Sequence, residues 1–142
     1  MKKALAFVLV LFLVACEQAP YRMDNLDDYI LDPDIQKVDV RGQSERLENG
    51  YVDRFQSIAL IELMGQEAID LSNGYNFEPE DILNEAFIRA LFDEDAEAIV
   101  IMCNSGARSS YMVRVLEYLG YDNVYNLGAY SDYQGAYFIQ GS

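Results

Sequence analysis

The chain has 142 residues, 51% of them hydrophobic, which is enough to bury one core of ordinary size, and its formal net charge is −14. A surface this acidic repels nucleic acid and anionic lipid headgroups, so no nucleic-acid role is expected and any membrane attachment must be hydrophobic. The absence of histidine excludes cysteine–histidine dyads, serine–histidine–aspartate triads and histidine metal ligands; no metal or cofactor motif is visible, and none is expected.

Lys2 and Lys3 followed by the apolar run Ala4 to Ala15 read as an export signal over residues 1–15. A run of this length falls short of the ~20 apolar residues that a spanning helix needs. Its ending, Leu13 Val14 Ala15 Cys16, resembles a bacterial lipobox. The resemblance implies that Cys16 is acylated, becomes the mature N-terminus and anchors the protein to the membrane, facing the periplasm. Glu17 stands where an aspartate would resemble an inner-membrane retention signal, which favours the outer membrane. Removing residues 1–15 takes away two lysines and no acid, leaving a side-chain charge of −16. Anchoring then rests on acyl chains, at about 0.8 kcal/mol per buried CH₂ and with more than one chain required.

Residues 16–34 are rich in Asp and contain Pro20 and Pro33, which suits a tether; Tyr21, Leu26, Tyr29 and Ile30 let its end pack on the domain. That domain is expected over residues 35–142. Lys37 to Arg41 reads as a strand and Gln43 to Glu48 as a short helix, with an Arg41–Glu45 ion pair holding the two together. A strand near Ser57 to Ile61 and a helix over Glu62 to Leu71 come next. Asn73 Gly74 marks a turn, and Pro79, Glu80 and Asp81 open a helix to about Phe92, whose core stripe would be Ile82, Leu83, Ala86, Phe87, Ala90 and Leu91.

After the acidic turn Asp93 to Asp95, the unbroken apolar run Ala98 to Met102 predicts a buried central strand. Met112, Val115, Leu116 and Leu119 recur at helical spacing, with Gly120 as the stop signal. Val124 to Leu127 reads as one more strand. The six tyrosines from Tyr118 to Tyr137 read as half-buried filler of helix and sheet surfaces, and no protein partner is specified. Strands alternating with helices predict an α/β fold with a mainly parallel sheet flanked by helices, whose ligands bind at the carboxyl ends of the strands.

One such end carries chemistry. The central strand delivers Cys103 into the segment Cys103 Asn104 Ser105 Gly106 Ala107 Arg108 Ser109, directly before a helix. A helix N-terminus and a nearby arginine both favour a thiolate, drawing a thiol from about 8.5 into the range of roughly 3.5 to 7.5. Gly106 lets the backbone close around the sulfur, and Asn104 to Ser109 can turn their amides inward as an anion-binding nest. Arg108 would fix this loop or neutralise an incoming oxyanion. With no histidine as a base, the loop itself must activate Cys103.

The pattern CNSGARS resembles the active-site loop of rhodanese-like domains. Asp39 Val40 Arg41 with Glu45 and Gly50 is similar to the family's first strand and the helix after it, and Asp122 to Gly128 to its strand after the active-site helix. The resemblance spans about residues 35–130. It implies a sulfurtransferase: Cys103 takes sulfane sulfur from a donor such as thiosulfate, carries it as a persulfide, and yields it to a thiol or cyanide acceptor. On this resemblance Cys103 and Arg108 are the catalytic pair, and Asn104, Ser105, Gly106, Ala107 and Ser109 the substrate-binding loop. Gly50 to Phe55 and Gly128 to Tyr130 depart from the family's pocket segments, which leaves the donor open. Related phosphatases place five residues between cysteine and arginine; four intervene here, and the smaller ring suits one sulfur atom better than a phosphate. A non-catalytic accessory or scaffold lipoprotein, or a thiol redox sensor, is the alternative.

Overall fold

The apolar run at the centre of the chain forms a strand buried along its whole length, and the rest of the molecule is arranged on its two faces. The computed structural model describes residues 18–142; the export signal, Cys16 and Glu17 lie outside the described residues. In chain order the elements are β1 (Ile35–Asp39), α1 (Gln43–Asn49), β2 (Tyr51–Val52), β3 (Gln56–Ser57), and a π-helical turn (Leu60–Met64) running into α2 (Gly65–Glu67). They continue with α3 (Glu85–Leu91), β4 (Ala98–Cys103), α4 (Ala107–Tyr118), β5 (Val124–Ala129) and β6 (Phe138–Ile139). Four strands form one parallel sheet in the order β3-β1-β4-β5, and β2 pairs antiparallel with β6 in a separate ribbon. This is an α/β fold with a parallel central sheet flanked by helices, and the long β1, β4 and β5 ladders give it its rigidity.

Side chains of a strand alternate between faces, so β4 feeds two cores. Ile99, Ile101 and Cys103 enter one with Tyr111, Met112, Val115 and Leu116 of α4. Ala98, Val100 and Met102 enter the other with Met23, Leu26, Tyr29, Ile30, Val52 and Phe55. Each such fully buried aliphatic contributes about 1.5–3 kcal/mol relative to exposure. The second core shows that the expected tether is folded over its latter part. Met23–Asp28 is a 3-10 helix whose apolar residues lie against β4, and Tyr21 stacks edge-on against Tyr29 with centroids 5.0 Å apart. The closing segment, unreadable in the sequence, supplies Tyr133 and β6 to the same face.

Three elements differ from expectation. The strand expected near Ser57 to Ile61 has only its first residues in register. Ile58 and Leu60 still donate to the Asp39 and Val40 carbonyls, but Ala59 O already accepts from Leu63 and Met64, so the chain coils from Leu60 onward and leaves the helix at Glu67 rather than Leu71. The helix expected from Pro79 to Phe92 is two pieces. Ile82 turns extended to bridge Ile69, and Asn84 recaps the chain by accepting from the Phe87 N–H. The interruption changes the helical phase, so Ile88 and Phe92 are the buried residues while Leu83, expected in the core, is 70% exposed. α4 begins at Ala107, inside the segment expected to precede it, because Gly106 supplies a left-handed N-cap.

Candidate functional site

Cys103 is the last residue of β4, and α4 begins at Ala107, so the chain must reverse within Asn104, Ser105 and Gly106. Gly106 has φ +94°, and a Cβ placed there would lie 3.4 Å from the Gly128 Cα; a left-handed turn against a neighbouring backbone requires glycine. An irregularity of β5 between its partners Ile101 and Met102 sets Gly128 opposite Met102 and Ala129 opposite Cys103, which brings that backbone close. Folded this way, the loop donates the Gly106 N–H to the Cys103 sulfur at 3.0 Å, and the Ser109 Oγ lies 3.3 Å away. Burial pushes the Cys103 thiol up; the Ser109 hydroxyl and the N–H groups of Ser109, Gly106 and Ser105 outweigh it and hold the thiol below its ordinary range.

The Ser109 hydroxyl has one proton and three neighbours that accept it: the sulfur, the Gly106 carbonyl at 3.1 Å and the Asn126 Oδ1 at 2.7 Å. When Cys103 is a thiol it donates to Ser109 Oγ and the hydroxyl proton goes to Asn126. When Cys103 ionises, the hydroxyl turns to the sulfur. Asn126 tolerates the change because its Oδ1 also accepts from the Gly128 N–H at 2.9 Å while its Nδ2 donates to Gly106 O. Ser109 therefore stabilises whichever state the sulfur is in.

Arg108 fixes the loop, the first of the two roles expected of it. Its two terminal nitrogens donate to the two carboxylate oxygens of Glu45 at 2.9 and 2.7 Å, which ties the start of α4 to α1 and sets its charge against a carboxylate. The hydrogen bond from Arg108 holds the Glu45 carboxyl below its usual range, and the same bond raises Arg108. The expected Arg41–Glu45 pair does not form. Arg41, wholly buried, is bound instead by Asp39 at 2.8 Å, donates to the Gly50 carbonyl and lies 3.6 Å beneath the Tyr130 ring. Arg46 joins the same carboxylate at 3.2 Å. Asp39 and Arg41 stand two apart at the end of β1, and the Asp39 carboxylate accepts from the Arg41 backbone N–H as well as from its guanidinium, which fixes the pair locally.

The rhodanese-like domain family profile matches residues 23–136. The chain belongs to that family. Its fold is similar to that of a Staphylococcus saprophyticus protein, SSP1007, at 19% identity and TM-score 0.54, covering 87% of this chain and 100% of that one. It is also similar to EanB, solved as a variant in complex with ergothioneine, at 14% identity and TM-score 0.52, covering 79% of this chain and 24% of that one. A rhodanese with anions from E. coli matches at 20% identity and TM-score 0.49 over 75% of this chain and 99% of that one. No curated protein matches the sequence.

As a rhodanese-like domain the chain has a possible sulfurtransferase role in general terms, and its loop residues divide between the sulfur and the solvent. Cys103, Ser105, Gly106 and Ser109 meet at the sulfur. Asn104 and Ala107 are exposed on the loop's outer side. Sequence reasoning missed Asn126, and it assigned Glu45 to the wrong arginine. Asn126 carried a signal, since a polar residue beside Gly128 at a strand end on the ligand side of a parallel sheet is a natural loop partner. Among the described residues, the one grouping of three acidic groups close enough to share an ion is Asp32, Asp34 and Glu97. It sits at the amino ends of β1 and β4, away from Cys103. No helix of the described residues is long and apolar enough to cross a membrane.

Proposed function

We propose that this rhodanese-like domain is a sulfurtransferase that carries sulfane sulfur as a persulfide on Cys103, held at the periplasmic face of a bacterial membrane, the outer one favoured, by lipid on Cys16. The observation that carries the reading is the sulfur's setting: hydrogen-bonded at 3.0 Å by the Gly106 N–H, beside Ser109, at the start of the twelve-residue α4, with its thiol held below the ordinary range. The Cys103 thiolate attacks the outer sulfur of a donor, a new Cys103 S–S bond forms, and the donor's own bond to that sulfur breaks, releasing a thiolate or sulfite. The amides that stabilise the thiolate serve the terminal sulfur of the persulfide equally, since both are anionic. An acceptor thiolate or cyanide then attacks that terminal sulfur and returns the electron pair to Cys103.

The decisive measurement is intact mass after incubation with a sulfane donor. One added sulfur on the wild type and none on Cys103→Ser is expected; no added sulfur with thiosulfate, a persulfide or a polysulfide overturns the reading. The complete burial of Cys103 favours one rival, a non-catalytic accessory domain in which the cysteine only packs. That rival predicts alkylation of the folded protein no faster than global unfolding. The lipid is tested separately, by the mass of the N-terminal peptide and by membrane release in Cys16→Ser.

A further inference from the structure

Resting on the sulfurtransferase reading, we infer that Glu45 determines the charge of the donor: by occupying Arg108 it closes the site to dianions such as thiosulfate and leaves it to an uncharged or cationic persulfide. An anionic donor needs a free cation near the attacking sulfur, and Arg108 is the one in the loop. Both its terminal nitrogens are committed to Glu45 at 2.9 and 2.7 Å, in a pair whose side chains are only 14% and 26% exposed.

No other cation among the described residues lines the depression beside Glu45. Arg41 and Arg46 are spent on Asp39, Arg22 on Asp24, Arg54 on Asp53 and Arg89 on Glu85. Lys37 donates to the Asp32 and Ile35 carbonyls and Arg114 to that of Tyr75. The open depression on the α1 side of the Glu45–Arg108 pair, about 520 Å³ over the ends of β1 and β3, is lined by Glu45, Glu48 and Glu62 and by no basic residue. The Glu62 carboxylate lies so close to Gly42 that a Cβ there would stand 2.5 Å from its Oε1, which keeps that charge at the rim of α1. The depression, which meets the cysteine loop through the Glu45–Arg108 pair, therefore carries three carboxylates against one paired guanidinium.

The step is the attack of the Cys103 thiolate on the terminal sulfur of a persulfide R–S–SH: a new S–S bond forms to Cys103, the donor's own S–S bond breaks, and R–S⁻ leaves and takes the proton, so that the persulfide on Cys103 is anionic. No further oxidant or reductant is involved. An ammonium group on R meets the carboxylates of the depression, whereas thiosulfate brings two negative charges to them.

The test measures sulfur loading on Cys103 by rapid-quench intact mass with two probes, thiosulfate and cysteamine persulfide, so that the probes' own reactivities cancel when variants are compared. Glu45→Gln frees Arg108 and removes a charge from the path, so the rate with thiosulfate relative to cysteamine persulfide is expected to rise about tenfold, the size of one unit charge acting on a dianion across a few ångströms of solvent. Glu45→Asp restores the wild-type ratio, which a merely structural role would not require. The double change Glu48→Gln and Glu62→Gln, at exposed positions, moves the ratio the same way by a smaller factor and serves if Glu45→Gln does not fold. A ratio unchanged in the folded variants, or wild-type loading as fast with thiosulfate as with cysteamine persulfide, overturns the inference and leaves the sulfurtransferase reading standing. Loading with neither probe overturns the reading itself.

Discussion

Two carboxylate–arginine clusters stand at the carboxyl end of the sheet, and they do opposite things. Asp39 with Arg41 and Arg46 is sealed: its carboxylate and Arg41 have no exposure, Tyr130 covers the guanidinium, and the Arg41 Nη1 has no partner among the described residues. Glu45 with Arg108 is partly exposed and joins α1 to the cysteine loop. Burial decides the difference. A sealed pair must stay intact or leave an uncompensated charge in the core, so it serves the fold; a pair at the rim loses a partner at less cost, so its charges are free to be set by what the site must admit or exclude.

The largest way to break this contrast is Asp39→Asn. It leaves two guanidinium groups without their shared carboxylate in a buried layer, and removing one partner of a buried pair costs about 3–5 kcal/mol. A fall in Tm of more than about 10 °C is expected. A loss below about 1 kcal/mol would mean that water reaches the cluster and that the two pairs do not differ in kind.

Gly106→Ala is next. The left-handed φ of +94° and the approach to Gly128 together predict a loss of about 1–3 kcal/mol. The amide that meets the sulfur also moves, so the thiol pKa rises. Urea unfolding and the pH dependence of iodoacetamide alkylation measure the two effects on one sample. A stability loss with an unmoved alkylation profile would assign Gly106 to the fold alone.

The long β4 and α4 were legible because burial on both faces and helical periodicity each leave an unambiguous pattern, and the CNSGARS turn was legible because the contacts of Cys103 with Gly106 and Ser109 are local in sequence. What was not legible depends on contacts distant in sequence. Nothing local tells Glu45 that Arg108, 63 positions away, outcompetes Arg41, or tells Asn126 that it completes the sulfur's shell. The break at Ile82 escaped because its bridge to Ile69 is tertiary, and periodicity alone carried the stripe through Leu83. The packing of Tyr21, Leu26, Tyr29 and Ile30 on the domain was legible as apolar residues in an Asp-rich segment, whereas the 3-10 turn Met23–Asp28 that seats them against β4 was not, because it rests on that tertiary contact.

Ser109→Ala separates activation from stability. It removes the hydroxyl that serves sulfur and Asn126 in turn, leaves the amides in place, and costs about 1 kcal/mol of stability. The thiol pKa rises, because a hydrogen bond to the charged form is lost while burial still disfavours it. Alkylation at pH 7 should slow about fivefold or more, given about 1.5–3 kcal/mol for a hydrogen bond to a charged group, and recover at high pH. An unchanged rate at pH 7 would show that the amides alone hold the thiolate.

The smallest effect is the one that distinguishes the two clusters most directly. The hydrogen bond from Arg108 holds the Glu45 carboxyl below its ordinary 4.5, and a carboxyl depressed on folding contributes stability that is present above its unfolded pKa and lost as pH falls through the folded one. For a pair this open to solvent the contribution is about 0.5–1 kcal/mol. The stability difference between wild type and Glu45→Gln should therefore be constant from pH 7 down to about 4.5 and shrink below it, and it should shrink at high salt as well. Screening reaches only what solvent reaches, so the loss caused by Asp39→Asn stays the same in the same salt series. A Glu45 difference indifferent to both acid and salt would place that pair with the sealed cluster, as part of the fold and out of reach of any donor.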